Sequence, residues 1–81
     1  MPPSGNAHEL LKKYLTRQPF IPFRFEKTGG AWFEVHSPDM AAVTRHDIEL
    51  AMPIENGRQR FINIAMVHVN TVEILLPVNG D

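Results

Sequence analysis

Two periodicities divide the chain. Leu10, Leu11, Tyr14 and Leu15 share one face at helical spacing, with polar residues between them. Asn6 stands where an N-cap residue accepts from first-turn N–H groups, and Glu9 follows at the capping-box distance. Lys12, Lys13 and Arg17 take the other side and the last turn, where cations suit the helix dipole. Pro19 pushes its predecessor out of the helical region, so the spacing predicts one helix over residues 7–17. Past Pro19 the period falls to two. Ile21, Phe23 and Phe25 alternate with Pro22, Arg24 and Glu26, and Phe33 and Val35 alternate with Trp32, Glu34 and His36. Between them Thr28-Gly29-Gly30 is a turn. A three-residue loop, Gly29-Gly30-Ala31, opposes Phe25 to Val35 and keeps the apolar set on one face, with a glycine at positive φ.

The later segments are shorter. Ser37-Pro38-Asp39 breaks the second strand, residues 41–44 form a weak one, and Arg45-His46-Asp47 is a turn. Ile48, Leu50 and Met52 alternate with polar or small residues up to Pro53, and Asn56-Gly57 marks a tight hairpin. In Phe61-Ile62-Asn63-Ile64 either Phe61 or the pair Ile62 and Ile64 can face inward. A last β-rich run holds Val67, Val69, Val72, Ile74 and Leu75, bent near Asn70. One helix and five or six short strands predict a mainly β, α+β domain. A flat sheet of this size leaves a face and two edges open, so a small, strongly bent antiparallel barrel capped by the helix is expected. The domain is expected over residues 6–77, with tails at 1–5 and 78–81.

Composition narrows the functions. At 81 residues there is room for one domain. Eight Lys+Arg against nine Asp+Glu exclude a strongly basic arm or an acidic tail. The absence of cysteine excludes disulfides and thiolate chemistry. No apolar run reaches the roughly 18 residues of a membrane span, and the first residues carry no secretory pattern. A soluble, cytoplasmic domain with no membrane partner is expected.

Two resemblances follow from the placed elements. Pro19-Phe20-Ile21-Pro22-Phe23-Arg24-Phe25, Gly30 and Val35-His36-Ser37-Pro38-Asp39 resemble small bacterial proteins of uncharacterised function, with their doubled Pro-Phe and Pro-Asp corner. That likeness implies no activity. Residues 18–34 and His68-Val69-Asn70-Thr71-Val72-Glu73-Ile74 are similar in element order to Sm-like proteins of the host factor Q type. This likeness implies a bent barrel of Sm-like type, an RNA partner and a homo-oligomeric ring. That family carries an aromatic residue and a lysine just before the histidine; this chain has Met66 and Val67 there.

No catalytic set emerges. His8, His36, His46 and His68 include no pair at metal-ligand spacing, so neither a metal nor a small-molecule cofactor is expected. His46 and Asp47 are adjacent and diverge on a strand, and no Ser or Thr stands out as a nucleophile. Gly29-Gly30 is followed by Ala31-Trp32 rather than by a lysine and a helix, so it is no phosphate loop. Lys12, Lys13, Arg17, Arg24 and Lys27 make the first third net positive, a stripe for phosphates or an acidic partner. Trp32, near Arg24 and His36, is a base-stacking platform, a protein anchor, or a core residue under the helix against Tyr14. The expectation is a non-enzymatic protein-interaction or self-assembly module. Its contacts are Trp32, Arg24, His36, Lys12, Lys13 and Arg17, and its open edge lies near residues 72–75. The alternative is a Sm-like RNA-binding ring using Lys12, Lys13, Arg17 and Trp32. A small enzyme or ligand binder with His36 and His46 in a cleft ranks last.

Overall fold

A computed structural model describes residues 4–75. The helix α1 spans Ser4–Thr16. It starts a turn earlier than its capping signal implies: Asn6 lies inside it, and Ser4 and Gly5 belong to it rather than to a tail. Serine and glycine are both well tolerated at helix starts, so no sequence barrier stops the extra turn. Residues 78–81 fall outside the described residues. Ala7 and Leu11 are buried, flanked by half-buried Tyr14 and Leu15.

Six strands follow: β1 (Phe23–Lys27), β2 (Trp32–Val35), β3 (Ala41–Val43), β4 (Asp47–Glu55), β5 (Arg58–Ala65) and β6 (Val69–Ile74). All pair antiparallel, in two three-stranded sheets ordered β2-β1-β6 and β3-β4-β5. The fold is thus mainly β with one N-terminal helix, as expected. The two sheets are not closed into a barrel, and this corrects that expectation. The physical reason lies between β2 and β3. There a 3-10 turn at Pro38–Met40, capped by the Ser37 side chain accepting from Asp39 N–H (3.2 Å), breaks what would be one bent strand. β2 stays with the first sheet and β3 joins the second. Pro53, which has no N–H, coincides with a register shift in the β4–β5 ladder between Met52 and Glu55, beyond which pairing resumes at Glu55↔Arg58.

The β1–β2 hairpin has a three-residue loop, but it is Thr28-Gly29-Gly30, one residue earlier than expected. Lys27 N–H donates to the Ala31 carbonyl at 2.8 Å. Phe25 therefore opposes Phe33, and Phe23 opposes Val35. The pairing differs by two residues, so each side chain keeps its face. Gly29 and Gly30 both take positive φ, 105° and 100°. Asn56 (φ 53°) and Gly57 (φ 73°) form the tight turn between β4 and β5. The register Leu50↔Ile62 and Ile48↔Ile64 turns both isoleucines of β5 inward and leaves Phe61 outside. The last run breaks at a 3-10 turn, Met66–His68, ahead of Asn70. That turn is tied to the first hairpin by Thr28 N–H donating to the His68 carbonyl at 2.8 Å.

The core lies between the sheets and under α1. Leu11, Phe23, Phe25, Val35 and Ile48 are fully buried, joined by Leu50, Ile64, Met66 and Val69. Burying each such side chain contributes about 1.5–3 kcal/mol. Tyr14 packs on Phe23 (ring centroids 5.5 Å apart), and Phe25 on Phe33 (5.6 Å).

Candidate functional site

The two halves of β4 have different neighbours. β3 pairs with Ile48, Glu49 and Leu50 and then ends. From Ala51 onward β4 has β5 on one side and no strand on the other among the described residues. Among the described residues β2 is likewise paired only with β1. Between these two stretches, below the Pro38–Met40 turn, the sheets part. A largely apolar cleft of about 280 Å³ opens there, with Trp32, Phe33 and Glu34 on one wall, Leu50, Ala51, Met52 and Pro53 on the other, and His36 and Met40 at its end.

Two further clefts share Met40 and Ala51 with it. One, of about 100 Å³, runs across the outer face of the second sheet to Phe61, beside Asp39 and Glu49. The other, of about 360 Å³, follows β4 to Ile54 and Gln59. The Gln59 side-chain amide donates to the Met52 carbonyl and helps hold this distal half. Trp32 is 38% exposed, Ile54 67% and Phe61 59%, and each lines one of these three clefts. Together they form one apolar seam on a small protein, and such patches mark interaction sites. Val67, 80% exposed, is the remaining large exposed apolar residue among those described and sits apart in the Met66–His68 turn.

Charge is arranged around the seam. The Arg24 guanidinium lies 4.1 Å from the centroid of the Trp32 ring and also bonds Glu73 Oε1 on β6 at 2.6 Å. Trp32 thus packs under Arg24, while Tyr14 packs on Phe23. His36 Nε2 meets Glu34 Oε1 at 2.8 Å. Of the residues named from sequence, Arg24 therefore meets Trp32, and Trp32 and His36 line one cleft. Lys12 lines a separate cleft of about 660 Å³ between α1 and the end of β3, with His8, Val43 and Arg45. Lys13 and Arg17 are exposed. The seam residues Met40, Ala51, Ile54 and Phe61 were missed by sequence reasoning. The available signal was the unresolved parity at Phe61-Ile62.

The polar turn at residues 44–47 builds a compact hydrogen-bonded set. The Asp47 carboxylate accepts from Thr44 Oγ1 at 2.8 Å and from Asn63 Nδ2 at 3.0 Å. The bond from Asn63, then that from Thr44, with nearby His46 assisting, holds its pKa below the ordinary 3.8. This arrangement ties the turn to β5 and stabilises the charged carboxylate rather than readying it to take a proton. Among the described residues no group of three or more His, Asp or Glu is placed to hold a metal ion. No described helix is long and apolar enough to cross a membrane. Comparison with protein-family models, with curated proteins and with solved structures gives no match.

Proposed function

We propose that this protein is a non-enzymatic interaction module whose docking surface is the apolar seam around Met40 and Ala51. One observation carries the reading: Trp32, Ile54 and Phe61, on three different strands, are exposed and line three clefts that share those two residues. Aromatic anchors in adjoining apolar clefts are the usual centre of a protein interface. On this reading Trp32 and His36 line the contact surface, Arg24 borders it over the Trp32 ring, and Lys12, Lys13 and Arg17 lie outside it.

Photo-crosslinking tests the reading. A photoreactive phenylalanine analogue is placed at position 61, at position 54, or at exposed Lys12 as a control. Discrete adducts from 61 and 54, none from 12, and their loss in Trp32→Ala are expected. Equal labelling from all three positions, or adducts indifferent to Trp32→Ala, overturns the reading.

A second reading is a Sm-like, RNA-binding homo-oligomer. Its support is the element order, in which the last strand β6 returns to pair with β1, and the Lys12 and Arg45 side chains beside one cleft. Light scattering and binding of a uridine-rich oligonucleotide at two salt concentrations test it. A ring-sized particle and an affinity that falls with salt are expected. A monomer at high concentration, or no oligonucleotide binding at low salt, removes it.

A further inference from the structure

If the seam is a docking surface, as proposed above, the backbone of β2 bears on what occupies it. The Lys27 N–H bond to the Ala31 carbonyl sets the ladder's phase. With Phe25 opposite Phe33 and Phe23 opposite Val35, Phe33 and Val35 turn their backbone groups toward β1. Trp32 and Glu34 turn theirs the other way. No strand pairs with that outer edge among the described residues, and it forms one wall of the 280 Å³ cleft. The opposite wall is apolar β4 from Ala51 to Pro53. The cleft is therefore a slot beside an open strand edge.

The molecule already contains an example of what fits beside β2. On its paired side lies Phe23-Arg24-Phe25, with both phenylalanines buried and Arg24 turned outward. Arg24 opposes Glu34 in register and covers the Trp32 ring at 4.1 Å. The free side of β2 still offers a neighbour strand the 38% of Trp32 that Arg24 leaves exposed, and the Glu34 carboxylate, which Arg24 opposes but does not bond and which meets His36 Nε2 at 2.8 Å. Charge points the same way. Glu34, Asp39 and Glu49 line the three clefts, and no Lys or Arg does.

We propose that the outer edge of β2 takes an extended segment of a partner protein, alternating apolar residues with Arg or Lys, as an added fourth strand. Its backbone pairs with Trp32 and Glu34. Its apolar side chains enter beside Phe33 and Met52, and its cations lie against Trp32 and Glu34. Addition of this kind draws affinity from main-chain bonds and selectivity from alternate side chains.

Trp32 is the chain's single tryptophan, so its emission reports the slot directly. The probe is a capped hexapeptide alternating Val and Arg, titrated into the intact chain at low salt. A saturable change in emission is expected, weakening as salt rises. Two copies of the peptide, N-methylated at alternate amides in either phase, keep the side chains and remove half the backbone donors. At least one should bind tenfold or more weakly. A Val–Glu peptide should give no change, and Glu34→Gln should weaken the Val–Arg peptide about two- to fivefold, the range of a cross-strand charge pair.

Undiminished binding of both N-methylated peptides overturns strand addition yet leaves the seam as a docking surface. No response to the Val–Arg peptide at millimolar concentration overturns the occupant, and the crosslinking result then decides the docking reading separately. A concentration-dependent dimer that the peptide fails to dissociate assigns the edge to a second copy of this chain, and likewise overturns the proposal.

Discussion

The two halves of β4 are one continuous strand with opposite surroundings. Its first half, through Ile48 and Leu50, lies between β3 and β5 with both apolar side chains buried. Its second half, Met52 to Glu55, is bonded along one edge and carries Ile54 at 67% exposure. The alternation of apolar residues is similar in both. What differs is how far the neighbouring strand reaches, and the Pro38–Met40 turn sets that limit. A buried stretch and an exposed apolar stretch are thus drawn from one strand by stopping its partner early.

Substitutions along β4 sharpen the contrast most. Ile48→Ala should cost about 3 kcal/mol, since it empties a fully buried site. Ile54→Ala should change stability by no more than about 0.5 kcal/mol. Urea unfolding of both variants measures the difference, and equal losses would mean the distal half is core after all. At the tip of that half, Gly57→Ala should cost about 1 kcal/mol. The space there is open, but φ is +73°, a conformation that a side chain strains. A neutral result in the same titration would show that the turn relaxes freely.

Smaller effects belong to the charged groups. Arg24 and Glu73 are both more than a third exposed, so Glu73→Gln should cost about 0.5 kcal/mol, an effect that fades in high salt. A loss unaffected by salt would place the pair in a drier setting than its exposure implies. At the paired end of β4, Asp47 has its carboxyl pKa lowered on folding by Asn63 and Thr44. Its contribution to stability is therefore complete above the ordinary carboxylate value and disappears as pH falls through the lowered one. Asp47→Asn should be less stable than the parent near neutrality, with the gap closing in acid. Denaturant midpoints across pH measure this, and a gap that persists unchanged in acid would mean the bonds do not depend on the charge.

The architecture was readable wherever local rules dominate. The spacing of Leu10, Leu11, Tyr14 and Leu15 announced the packed side of α1, because a helical face repeats within a few residues, although Leu10 is only half-buried and stays outside the core that the other three join. Asn56-Gly57 announced its turn because few other residues adopt positive φ cheaply. At the first hairpin the loop length came out correctly and its starting residue did not. Two glycines allow neighbouring turns of equal size, and a shift of two leaves every face unchanged. The seam was not readable for the same reason that the barrel was wrongly expected. Both depend on where β3 stops beside β4 and whether β2 continues to it, which are pairings between distant segments. The orientation of Phe61 had the same origin, since it follows from Leu50 meeting Ile62. Trp32, Arg24 and His36 could be grouped in advance because a hairpin places them by local geometry alone.

The return of β6 to β1 has a kinetic consequence. Phe23 meets Ile74 across 50 residues of intervening chain, so the first sheet lacks its third strand until nearly all the described residues have left the ribosome. The second sheet closes through two local hairpins and has no such wait. Late joining of a distant strand slows folding through the entropy of closing a long loop. In that interval β1 exposes its edge, and the nascent chain is at its most vulnerable to pairing with the wrong neighbour.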